Sequence, residues 1–155
     1  MAARRPVALV AAAIALAIGA CGSGGDEARR DNRYVDTVNR VQADFVRTVD
    51  RIPIVRATDG APAGQRALSD YVRAVDRVVA RLRSVVPPKR LAAGHRRLVG
   101  ALLRFRSRLG SAAASLGSGD PNRVTLAQQA VLAARDDAQR ALNREIAAIN
   151  HTLHS

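Results

Sequence analysis

The 155-residue chain contains one cysteine, one methionine and no tryptophan, and its aromatic residues are two tyrosines and two phenylalanines. Each scarcity excludes something. A single cysteine can form neither a disulfide within the chain nor a metal–thiolate cluster. With so few aromatics there is no set of rings between basic residues on which bases could stack, so nucleic acid is not expected as a physiological partner. Three histidines occur without a Glu-x-x-His or C-x-x-C-H motif, so neither a bundle di-iron sequence nor a haem attachment sequence is present. Nothing matches a nucleophile elbow, a paired-carboxylate cleft or a phosphate-binding glycine loop. The expectation is a protein that is not an enzyme and carries no cofactor. Long apolar runs are missing as well. Val7 to Ala20 is the most apolar stretch, and its 14 residues fall short of the roughly 20 that a membrane-spanning helix needs.

What is there begins with that same run. Arg4 and Arg5 precede it and Cys21 closes it, the layout of a secretory signal. Ile18-Gly19-Ala20-Cys21 resembles the lipobox of bacterial lipoproteins: an aliphatic residue, two small residues and a cysteine. The resemblance implies diacylglyceryl transfer to the Cys21 thiol, cleavage before Cys21 and acylation of the new terminus, palmitate being a typical chain. Each buried methylene contributes about 0.8 kcal/mol, so two or three chains anchor stably where one does not. The plainer reading is a soluble secreted protein with Cys21 as a free thiol. The expected organisation is a signal peptide over 1–20, a lipidated cysteine and glycine-serine tether over 21–26, and one domain over 27–155. Such a protein would sit outside the cytoplasm, on the outer face of the cytoplasmic membrane or on an outer membrane.

Beyond the tether the apolar spacing is helical throughout, with no strand-like alternation. Tyr34, Val38, Val41, Phe45, Val49 and Ile52 recur at steps of three and four, predicting a first helix from Glu27 to Arg51 that Pro53 stops. Leu68, Tyr71, Val72, Val75, Val78, Val79, Leu82 and Val85 predict a second from Ala63 to Val85. After Pro87-Pro88, the positions Leu91, His95, Leu98, Leu102, Phe105, Leu109, Ala112 and Leu116 alternate steps of four and three. Gly117-Ser118-Gly119 ends this third helix, and Asp120-Pro121 opens a fourth with a cap and a first-turn proline. Its stripe is Val124, Ala127, Val131, Ala134, Ala138, Leu142, Ile146, Ile149 and Leu153. Four amphipathic helices joined by short breaks predict an all-α, antiparallel up-down-up-down four-helix bundle. A two-hairpin open form or a swapped dimer is the alternative.

Few residues qualify as sites. His95 occupies a stripe position, where a histidine can bind metal, sense pH or simply be hydrogen-bonded near the bundle end. His151 and His154 share a face of the last turn and are weak metal candidates, in a stretch where helices fray. No metal site is assigned. Acids three or four positions from an arginine, such as Asp36/Arg40 and Asp136/Arg140, read as surface helix pairs.

Charge is unevenly distributed. The chain carries a net +12, with 24 arginines and one lysine among its 25 basic residues. Residues 22–64 and 120–155 are each neutral, residues 65–83 carry +3, and residues 84–119 carry +7 with no acid. On the third helix Arg90, Arg97 and Arg104 are seven apart, and Arg108 is one turn further. That face is a candidate contact for an anionic lipid surface, a phosphate-bearing envelope polymer or an acidic protein. The plainer reading is a solvated face partly neutralised by acids on neighbouring helices. The segment Pro87-Pro88-Lys89-Arg90-Leu91, followed by His95, Leu98 and Leu102, resembles a pattern in uncharacterised helical lipoproteins of actinobacteria, which implies the same fold and no activity. The expected function is a lipid-anchored, non-enzymatic binding module at the cell envelope. The alternatives are a small-ligand or metal binder around His95 and an accessory subunit of an envelope complex.

Overall fold

A computed structural model describes residues 25–53, 60–118 and 120–155. The signal segment 1–20, Cys21 and the Thr58-Asp59 part of the first loop lie outside the described residues. Four helices follow one another: α1 (Asp26–Val49), α2 (Gly60–Arg83), α3 (Ala92–Leu116) and α4 (Pro121–His154), with a single 3-10 turn at Lys89–Leu91 leading into α3. Among the described residues there is no strand, and the architecture is an all-α four-helix bundle. No described helix is long and apolar enough to cross a membrane.

The helix ends follow local chemistry. α1 stops at Val49, two residues before the expected Arg51. The chain then closes in tight turns, with the Asp50 amide donating to the Val46 carbonyl and Ile52 to Val49, both at 2.9 Å. α2 starts three residues before the expected Ala63, at Gly60, whose φ of +76° only glycine adopts without strain. Pro62 is compatible with that earlier start because the first turn needs no amide donor. α4 is capped by the Asp120 carboxylate, which accepts from the Asn122 amide at 2.9 Å.

Neighbouring helices run antiparallel. Along α3 and α4, Arg97 pairs with Glu145 and Arg108 with Asp137, so one number rises as the other falls. Close backbone packing links α1 to α2, α2 to α3 and α3 to α4. The predicted stripes supply the core: Tyr34, Val38 and Val41 from α1; Tyr71, Val75, Val79 and Leu82 from α2; Leu98, Leu102, Phe105 and Leu109 from α3; Ala134, Ala138, Leu142, Ile146 and Ile149 from α4. The four rings fall into two groups. Phe45, Tyr71 and Phe105 form an edge-to-face chain across α1, α2 and α3, with centroids 5.8 and 6.1 Å apart. Tyr34 stands apart at the other end of α1, beside His95. Among the described residues, every buried apolar side chain lies between Tyr34 and Ile149.

Two glycines of α3 report how tightly it packs. A Cβ at Gly94 would lie 2.8 Å from Ile149 Cγ1 on α4, whereas one at Gly110 would meet nothing within 4 Å. Alanine favours a helix interior over glycine by about 1 kcal/mol, but overpacking costs about 1–3 kcal/mol. Gly110→Ala is therefore expected to raise the thermal midpoint of residues 25–155 and Gly94→Ala to lower it, as read by circular dichroism.

Candidate functional site

The end of the bundle where α1 and α3 begin and α2 and α4 finish gathers polar groups from all four helices. No acidic residue lies in the first turn of α3 and no side chain caps it, an unfavourable arrangement for the positive end of a helix dipole. Asp31 of α1 meets the segment that leads into α3 through Arg90. It is 4% exposed, and its Oδ2 accepts from Arg90 Nη2. Arg90 also donates through Nη1 to the Thr152 carbonyl near the end of α4 at 3.0 Å and lies 3.6 Å from Glu27. The Asp31 carboxylate holds the guanidinium above its ordinary value, with Glu27 adding in the same direction. The second carboxylate oxygen, Oδ1, is buried without a hydrogen-bond partner among the described residues. That leaves Arg90 as the compensation for burying the charge.

One turn away, His95 is 6% exposed and its Nδ1 lies 3.2 Å from the Tyr34 hydroxyl. Burial lowers the imidazole pKa, and a weaker backbone hydrogen bond to Leu82 opposes the shift. The Tyr34 hydroxyl and His95 Nδ1 share their hydrogen bond, the imidazole tautomer setting which of them donates. Burial pushes the Tyr34 phenol up to about 12, so it keeps its proton. His95 thus ties α3 to α1 and α2. His151 and His154 are exposed in the last turn of α4. Among the described residues, no three His, Cys, Asp or Glu side chains gather within reach of one metal ion.

The four arginines of the predicted α3 face have different surroundings. Arg90 belongs to the interior arrangement above, Arg97 bonds Glu145 of α4 at 2.7 Å, and Arg108 bonds Asp137 of α4. Arg104 alone of the four is exposed without an ion pair among the described residues. Off that face, Arg106 makes a two-pronged contact with Asp76 of α2 at 2.9 and 3.2 Å. The surface pairs expected from spacing also differ: Arg40 donates to Thr37, Arg140 donates to Asp137 at 2.5 Å, and Asp136 is taken by Arg135. Arg108, with Arg140 adding, holds the Asp137 carboxyl below its ordinary range, and Arg81, with Arg47 adding, does the same for Asp44.

No family model, curated protein or solved structure matches the chain.

A cleft of about 560 Å³ opens beside the Asp31–Arg90 pair, between the first turns of α1 and the segment joining α2 to α3. Arg30, Arg33 and Lys89 line it, and all three are exposed and without an ion pair among the described residues. Thr37 and Ser84 also line it, but their hydroxyls donate to the Arg33 and Arg81 carbonyls at 2.7 Å. The three cations are therefore its charged donors. Sequence periodicity did not single them out, because they belong to two separate segments that only the fold brings together. A second cavity, of about 70 Å³, lies among apolar side chains of all four helices between Phe45, Tyr71 and Leu142.

The buried histidine makes stability pH-dependent in a defined window. Its folded pKa lies below the unfolded value of about 6.5, so its contribution is complete above that pH and is lost as pH falls through about 6.5 toward the lowered folded value. The carboxyls of Asp44 and Asp137 contribute in a separate, more acidic window, lost as pH falls below about 4. The thermal midpoint should drop between pH 7 and pH 5.5, and His95→Gln should flatten that segment of the curve while leaving the acidic segment in place.

Proposed function

We propose that the chain is a lipid-anchored, non-enzymatic binding module at the cell envelope, held by Cys21 and contacting an anionic component through its unpaired arginines. One observation carries this reading. Among the described acids, only Asp36 and Asp50 lack an ion pair with an arginine. The cations left over have no internal counter-charge among the described residues: Arg30, Arg33 and Arg40 on α1, Arg51 just beyond it, Arg66, Arg77 and Arg83 on α2, Lys89 in the 3-10 turn, Arg96 and Arg104 on α3, and Arg144 on α4. The face predicted from the sequence enters the reading through Arg104. Arg90, Arg97 and Arg108 serve it by fixing the helices.

Anchoring and binding have separate tests. The full chain should incorporate labelled palmitate in a bacterial host and fractionate with membranes, and Cys21→Ala should abolish both. Equal labelling of the two proteins contradicts the anchor. Residues 25–155 should bind anionic surfaces with an affinity that falls steeply with salt, as exposed charges require. Salt-independent binding contradicts the role given to the arginines.

A further inference from the structure

We propose that the cleft formed by Arg30, Arg33 and Lys89 receives the phosphate headgroup of an anionic phospholipid, seating this end of the bundle on the membrane that holds the anchor. The proposal rests on the lipid-anchored reading for the choice of surface, and on the geometry of the cleft for the site.

The positive character of the cleft follows from what its neighbours do. Three acids stand in the first two turns of α1, and each has a cationic partner: Asp26 bonds Arg29 at 3.0 Å, while Glu27 and Asp31 both face Arg90. Arg30, Arg33 and Lys89 form no ion pair among the described residues, the unpaired Asp36 stands one turn beyond Arg33 on α1, and no carboxylate lines the cleft. Three cations from two segments around one concavity suit a group bearing several anionic oxygens, which arginine binds through a planar fork and lysine as a point charge.

Position selects lipid over a free anion. Four residues of extended chain from Cys21 to Gly25 reach at most about 14 Å. Arg30 and Arg33 then stand about 6 and 10 Å along the axis of α1 from Asp26. A lipid anchor at Cys21 therefore holds these charges within about 30 Å of the headgroup plane, close enough for this end of the bundle to settle on it, and at that surface each contributes about 1 kcal/mol. The rim of the cleft adds an apolar feature. Val86 is 91% exposed, the most exposed large hydrophobic residue of the described chain, and Pro87-Pro88 follow it. A valine held in water beside three cations is suited to the boundary between headgroups and acyl chains.

The test uses residues 25–155 and vesicles of phosphatidylcholine with or without phosphatidylglycerol. Arg30→Ala/Arg33→Ala/Lys89→Ala is compared with Arg47→Ala/Arg73→Ala/Arg123→Ala, which removes equal charge from exposed arginines outside the cleft that each pair with an aspartate one turn earlier. Co-sedimentation should show binding only to the anionic vesicles, weakened about tenfold or more in the cleft variant and about twofold at most in the control. In a chain with no tryptophan, Val86→Trp should show a blue-shifted emission on adding anionic vesicles and none with neutral ones. Equal loss in both triple variants, no binding, or an unshifted emission from the Val86→Trp protein each overturns the proposal. Calorimetry with inorganic phosphate separates the sources: cleft-dependent phosphate binding without vesicle binding overturns the lipid assignment. Failure here is distinguishable from failure of the anchor, because palmitate labelling of Cys21 is scored on the full chain and is independent of these variants.

Discussion

The buried carboxylate of Asp31 constrains everything around it. A charge taken out of water needs a partner, and the partner here is an arginine from the segment that opens α3. Arg90 reaches it only because Pro87-Pro88 and the 3-10 turn at Lys89–Leu91 carry the chain across the bundle end instead of continuing α2. The same guanidinium then bonds the Thr152 carbonyl, so α1, α3 and α4 share one cation. His95 completes the set by joining Tyr34 of α1 and Leu82 of α2. An alanine-rich core of aliphatic side chains tolerates sliding and rotation of helices. Directional polar contacts at one end specify a single register.

Arginine performs two tasks in this chain, and the fold sorts them. Between helices, Arg97, Arg106 and Arg108 link α3 to acids of α2 and α4. These pairs are exposed and individually worth little, but together they orient α3 relative to both neighbours. The arginines that find no acid face solvent, and the fold concentrates three unpaired cations in one cleft beside the start of α1. Because the three acids in the first two turns of α1 are turned to Arg29 and Arg90, the N-terminal end of the bundle is basic although residues 22–64 are neutral as a segment.

The core was legible in the sequence because periods of three and four encode a helical face directly. Leu91, His95, Leu98, Leu102, Phe105, Leu109, Ala112 and Leu116 are all buried. The start of α2 was not, since Gly60-Ala61-Pro62 has the composition of a loop and enters the helix only through a backbone angle reserved for glycine. Asp31 was also overlooked, although it stands three and four residues before Tyr34 and Val35, in line with the stripe. An acid in an arginine-rich helix reads as surface until its neighbour across the bundle is known. The roles of Arg90, Arg97 and Arg108 depend on the register of α3 against α1 and α4, and no single-helix pattern contains that information. Arg30, Arg33 and Lys89 escaped notice for the same reason.

The central claim, that one partly buried ion pair holds the bundle end in register, is tested most directly by a double-mutant cycle on residues 25–155. Unfolding free energies would be compared for Asp31→Ala, Arg90→Ala, the double variant and the parent. With Asp31 buried and Arg90 a third exposed, a coupling on the order of 2 kcal/mol is expected, and the double variant should be close to the more damaged single variant. A coupling under about 0.5 kcal/mol, the range of an exposed pair, would contradict the claim and return the register of the helices to core packing alone.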